Sequence, residues 1–244
     1  MKIRPSTQDP YQKCSTFYSN VSRKCRLKGL DLEEISRSQR RLGQCKDGIY
    51  YLHPDAFKPT AVALGFPLPD HFFVRRLWRI SCLVENYLRR VTNSNKTTFA
   101  HVPPDSYHIT IVNRTHFDKH REIFSINKAE KWKSRNAIAS LNPGYILLFF
   151  NGLIVSREGR VLVCGYTFDN RFFLLRNTLI DRMDIFEEHV PPAAHIKLGH
   201  ILVNLDQEQL RSLLLYTSVC GEHISRMVLF KDLYTSLGRI PLSK

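Results

Sequence analysis

A chain of 244 residues with 43% hydrophobic content is long enough to fill the core of one large domain or two small lobes. Thirty-six Lys and Arg against 22 Asp and Glu leave a formal charge of +14, which draws polyanions to the surface and makes nucleic acid the first partner to consider. The longest apolar run, Tyr145 to Val155, has only eleven residues and is broken by Asn151 and Gly152, against the roughly 20 a bilayer span needs, so no membrane association is expected. Residues 1–20 contain no apolar stretch suited to a secretory signal, and the six cysteines include no CxxC pair. The expectation is a cytoplasmic, monomeric protein without structural disulfides, metal or cofactor.

Taken in chain order, residues 1–47 are polar and basic. They read as an N-terminal extension packed on a domain of residues 48–244, with one short helix from Asp31 to Leu42, where Asp31 caps and Glu33 and Glu34 complement the helix dipole. Two short strands follow, in "DGIYYL" and "TAVALG". From Asp70 to about Val91, Phe73, Leu77, Ile80, Val84 and Leu88 recur at helical spacing, leaving Arg75, Arg76, Arg79, Arg89 and Arg90 largely on the other face. The centre of "FAHVPPDSYHITIVNRTHF" alternates as a strand, a helix occupies part of 126–140, and "YILLFFNGLIV" and "RVLVCGYT" form a hairpin about Arg157, Glu158 and Gly159. Asp169 opens a helix to about Phe186, "AAHIKLGHILV" is a strand, Asp206 opens a short helix, and strand returns near the C-terminus. This order suits an α+β fold better than a doubly wound sheet.

Within it, one pattern occurs twice: a long helix leads to a strand that carries a histidine. Side chains alternate along a strand, so His108 and Thr110 share one face while Tyr107, Ile109 and Ile111 share the other. In the second strand His195 and Lys197 share a face. His200 falls with Ile196 and Leu198 on the apolar one unless a bulge at Gly199 re-aims it. Both strands follow Val-Pro-Pro, with Pro104 four residues before His108 and Pro192 three before His195. His116 and His120 with Asp118 lack a third histidine and a clear helix, and read as solvated loop rather than metal site.

The paired motifs, His108-Ile109-Thr110-Ile111 and His195-Ile196-Lys197-Leu198, resemble those of the two-histidine phosphoesterase superfamily, the LigT-like cyclic phosphodiesterases and 2'-5' RNA ligase-like proteins. The first motif is complete; in the second, Lys197 stands where the family has Thr or Ser. The resemblance covers about residues 48–240 in element order, but only the two motifs in residues. It implies a two-lobed α+β fold whose pseudo-symmetric antiparallel sheets enclose a cleft, with helices outside. It further implies a metal-independent phosphodiesterase acting on a 2',3'-cyclic phosphate, a 2'-5' linkage or an RNA end. His108 and His195 would be the acid and base, in either assignment, and Thr110 and Lys197 the phosphate-binding groups. Tyr107, Arg114 and His200 are candidate substrate contacts. The alternative reading is a non-catalytic or weakened module that holds RNA or a phosphorylated ligand in the same cleft.

Overall fold

The computed structural model describes residues 9–40, 42–46, 49–52, 62–66, 72–94, 97–112, 128–183, 193–235 and 238–242. Its helices are α1 (Pro10–Lys28), α2 (Leu32–Gln39), α3 (Phe72–Thr92), α4 (Lys128–Leu141), α5 (Arg171–Met183) and α6 (Gln207–Glu222). Its strands are β1 (Leu42–Lys46), β2 (Ile49–Leu52), β3 (Val62–Gly65), β4 (Phe99–His101), β5 (His108–Val112), β6 (Ile146–Val155), β7 (Arg160–Tyr166), β8 (Ala194–Ile201), β9 (Arg226–Phe230), β10 (Asp232–Thr235) and β11 (Gly238–Pro241).

Local chemistry accounts for the element ends. Asp206 and Gln209 form a reciprocal capping box at the start of α6: the Asp206 carboxylate accepts the Gln209 N–H at 2.8 Å and the Gln209 side chain accepts the Asp206 N–H at 3.1 Å. Asp31 accepts the N–H groups of Glu33 and Glu34 at the head of α2. Between β6 and β7 the chain reverses through Gly159, whose φ of +75° is a backbone state that favours glycine. Helix α3 buries Phe73, Leu77, Ile80, Val84 and Leu88, the stripe its spacing predicts.

Strand β8 organises the sheet. β7 runs antiparallel along one of its edges, while the other edge is shared in sequence by β5, at Ile109–Ile196, and by β4, from Phe99–Ile201 to His101–Gly199. Beyond β5 come β3, β10 and β11; beyond β7 come β6 and β9; β4 leads to β2, in parallel pairing, and then to β1. The result is an α+β fold of two antiparallel lobes, β5–β3–β10–β11 and β8–β7–β6–β9, that meet where the histidine strands pair. Phe73, Phe99, Phe150, Phe172 and Phe230 are fully buried, and each such side chain contributes about 1.5–3 kcal/mol by leaving water.

Before residue 48 the structure departs from the sequence expectation of a single helix. Residues 10–28 form α1, opened by Asp9, whose carboxylate accepts the Tyr11 N–H, and by Pro10 in the first turn, where its missing N–H costs nothing. Cys14, Tyr18 and Cys25 bury one face of α1 in the common core, and Tyr11 stacks on Tyr166 with ring centroids 4.9 Å apart. The expected helix from Asp31 is shorter, ending at Gln39, and β1 follows as a hairpin partner of β2. Among the described residues, no helix is long and apolar enough to cross a membrane.

Candidate active site

The site starts from register. In the antiparallel pairing of β5 with β8, Ile109 stands opposite Ile196 and both are wholly buried. Their strand neighbours therefore point to the other face, with His108 set against Lys197 and Thr110 against His195. All four are half-buried, alternating with fully buried residues along both strands. The two histidines are diagonal neighbours across the pair, a relation that separates Cα atoms by about 7–8 Å. That gap lets two imidazoles flank one phosphate.

Each ring is held the same way. His108 Nδ1 lies 2.8 Å from the Ser106 carbonyl, and His195 Nδ1 lies 3.2 Å from the Ala193 carbonyl, in both cases two residues back. A carbonyl only accepts, so Nδ1 carries the proton and Nε2 is left as the basic nitrogen in both rings. Burial pulls both histidines below their ordinary pKa, and the carbonyl bonds partly oppose it. Lys197 lowers His108 further. His195 is lowered to about 4, by burial first and then by the charges of Arg160, Arg176 and Lys197. At neutral pH the site thus presents two neutral imidazoles among fixed cations, an environment that favours an anion.

Two of those cations were not singled out in the sequence. Arg160 precedes by two residues Leu162, which pairs with Lys197, so it lies on the same side of the sheet. Arg176, on α5, is 3% exposed. Its Nε donates to the Ile111 carbonyl at 3.0 Å, its guanidinium carbon sits 4.3 Å from the Phe172 ring centroid, and its Nη2 is buried without a hydrogen-bond partner. Burial lowers its pKa to about 9, which leaves it charged at neutral pH. The signal for Arg160 was the hairpin register; for Arg176, on a helix remote in sequence, there was none.

At the start of β8, Tyr18 of α1 fixes the approach to His195: its hydroxyl donates to the Ala194 carbonyl and accepts the Gly165 N–H at 3.0 Å. Further along, Leu162 faces Lys197 but Val161 faces Gly199, so Leu198 is an extra residue and the strand bulges there. The bulge, adjoining Gly199, swings His200 off the apolar face to the side of His195 and Lys197, the exception that the sequence left open. It is not open to a substrate, however: α2 covers it, and Ser38 Oγ shares a 3.0 Å hydrogen bond with His200 Nδ1. Tyr107, the second candidate substrate contact, is 3% exposed and packs in the core beside the turn that precedes β5, so its ring is part of the interior. Arg114, His116 and His120 lie outside the described residues. Among the described residues no group of three or more His, Cys, Asp or Glu is arranged to hold a metal ion.

No family model matches the chain, and no curated protein matches it. Among solved structures it is similar to TT0787 of Thermus thermophilus, with a TM-score of 0.43 and 10% identity over 74% of this chain and 91% of that one. It is also similar to Usb1 of Kluyveromyces marxianus, in a structure with uridine monophosphate (TM-score 0.40, 13% identity, 76% of this chain and 99% of that one) and in another Usb1 structure (0.39, 14%, 75% and 96%).

Proposed function

We propose that the chain is a phosphodiesterase of the two-histidine type, acting on a 2',3'-cyclic phosphate, a 2'-5' linkage or an RNA end, with His108 and His195 as its acid and base pair. What carries the reading is the diagonal pair of histidines across β5 and β8, each with Nδ1 committed to a carbonyl and Nε2 basic. Hydrolysis of a 2',3'-cyclic phosphate needs two proton transfers. One Nε2 takes a proton from water as its oxygen attacks phosphorus, and the other, protonated, gives its proton to the departing ribose oxygen, leaving a phosphomonoester. Both transfers are supplied by imidazoles, so the scheme calls for no metal.

The charges favour one assignment. His195 faces Arg160, Arg176 and Lys197, which keep it deprotonated, so it is the base. His108 has Lys197 as its cationic neighbour and takes up the proton when the substrate's negative charge arrives, so it is the acid. Thr110 donates to a nonbridging oxygen, and Lys197 supplies a cation where the second hydroxyl would stand. The formal charge of +14 favours RNA over a small nucleotide. Lys197 is also the observation behind a second reading, a binding module that keeps the anion site and has lost turnover.

The test is hydrolysis of a short RNA ending in a 2',3'-cyclic phosphate, in EDTA, by wild type and by the His108→Ala and His195→Ala variants. Turnover in wild type that disappears in both variants is expected. Binding of the same RNA by wild type without turnover would replace the enzyme by the module.

A further inference from the structure

We infer that Tyr234 is a stacking platform for the nucleobase attached to the phosphate held at His108, a specificity-determining residue that rests on the reading above. β3 pairs with β5 so that Ala63 faces Thr110 and Gly65 faces His108, and β10 pairs with β3 so that Tyr234 faces Ala63. Directly opposed residues share a face of the sheet, so Tyr234, Ala63 and Gly65 lie on the same side as His108 and Thr110. The complementary residues Leu64, Leu233 and Ile109 are wholly buried on the other side.

Tyr234 does not stand upright on its strand. A Cβ placed on Gly65 would meet its ring at 2.8 Å (Cδ2) and 3.0 Å (Cε2), so the ring lies against the backbone of β3, where any larger residue would push it off. That carries the ring from β10 back to within one strand of His108, a spacing of about 4.8 Å between strand axes. The ring remains half-buried, with one side on glycine and part of its surface open. The strand that carries it is paired on both edges, with β3 and with β11, and the Asp232 carboxylate is paired with Arg239 Nε at 2.7 Å between β10 and β11.

An aromatic ring laid against Gly65, directly across from His108, matches a nucleotide, which carries a flat π-face next to its charge. Stacking of this kind ignores base identity, because every base offers a face, so the platform would distinguish nucleotides from other phosphoesters and not one base from another.

The experiment is calorimetric titration of adenosine 2'-monophosphate and, separately, inorganic phosphate into wild type and the variants Tyr234→Ala, Tyr234→Leu and Tyr234→Phe. The leucine variant keeps apolar bulk on Gly65 if alanine impairs folding. Expected is a loss of nucleotide affinity of about 5- to 100-fold in the alanine and leucine variants, with phosphate affinity unchanged and the phenylalanine variant close to wild type. Equal loss for both ligands, no loss for either, or a wild type that binds no nucleotide overturns the inference. A wild type that binds the nucleotide through Tyr234 yet cleaves no phosphodiester keeps the platform and removes the enzyme, so the two claims fail separately.

Discussion

His108 and His195 follow proline pairs, donate Nδ1–H to a carbonyl two residues back, and stand two residues before a polar side chain on the same face. Their surroundings diverge. His195 lies on the central strand, paired along one edge by β7 and along the other by β5 and β4, braced from α1 by Tyr18 and surrounded by Arg160, Arg176 and Lys197. His108 lies on a strand whose pairing with β3 is interrupted by a register shift, and Lys197 is its cationic neighbour. Burial sets the common lowering of both pKa values, and the uneven distribution of cations divides them. A site symmetric in backbone becomes asymmetric in charge, which is what separate acid and base roles require.

The largest expected effect on this comparison is chemical. His108→Gln and His195→Gln should each reduce turnover of a 2',3'-cyclic phosphate by about 10²–10⁴-fold, the range a positioned proton-transfer group supplies. A variant with wild-type rate would remove that histidine from the mechanism. Next comes pH-dependent stability. Burial and the cations around it lower His195 to about 4 in the fold, against ~6.5 when unfolded. Between these values the unfolded chain binds more protons, so the neutral histidine's contribution is complete above about pH 6.5 and lost as pH falls towards about 4. The loss amounts to up to about 3 kcal/mol. Chemical denaturation at a series of pH values should show this slope in wild type and a shallower one in His195→Gln; equal slopes would mean that His195 charges freely in the fold. Smaller again is Tyr18→Phe, which orphans the Gly165 N–H and the Ala194 carbonyl. We expect a stability loss of about 1–3 kcal/mol by urea denaturation. If Tyr18 only fills space, the variant will unfold with the wild-type midpoint.

Much of the site geometry was legible in the sequence because it follows from strand period alone. His108 with Thr110, and His195 with Lys197, needed only alternation to be placed on one face each. What brings the two faces together, the Ile109–Ile196 pairing, is a long-range contact with no local signature. The same holds for Arg176, which reaches the Ile111 carbonyl from 65 positions away. His200 illustrates a different gap: one extra residue at Leu198 inverts the alternation, and although Gly199 marks a place for a bulge, only the partner strand's register decides that one forms. Helix α1 escaped because its buried face is Cys14, Tyr18 and Cys25, widely spaced among polar residues, so packing holds it rather than an apolar stripe. Beside the apolar stripe of α3, caps were legible: Asp31 and Asp206 both start helices where a carboxylate before a polar-apolar repeat says they should.

Lys197 gives the finest test, because it sits between the two histidines and acts on both. It lowers each of their pKa values, as a minor contribution beside burial. Lys197→Thr removes that charge and restores a hydroxyl opposite His108, matching Thr110 opposite His195. Both histidines should then titrate at higher pH. Because the base must be deprotonated, the acidic limb of the kcat/KM profile should move upward in pH, with the maximum rate within about tenfold of wild type, since one cation among several is lost from the anion site. KM should rise as the phosphate loses an ionic contact, and the salt dependence of binding should weaken by about one phosphate contact. An acidic limb that stays in place would mean that the ammonium does not act on the base, and the asymmetry between the strands would then rest on Arg160 and Arg176. If turnover appears only after the substitution, the lysine is what converts a hydrolytic site into a holding one, and the cation that strengthens phosphate binding is then the same group that stops the chemistry.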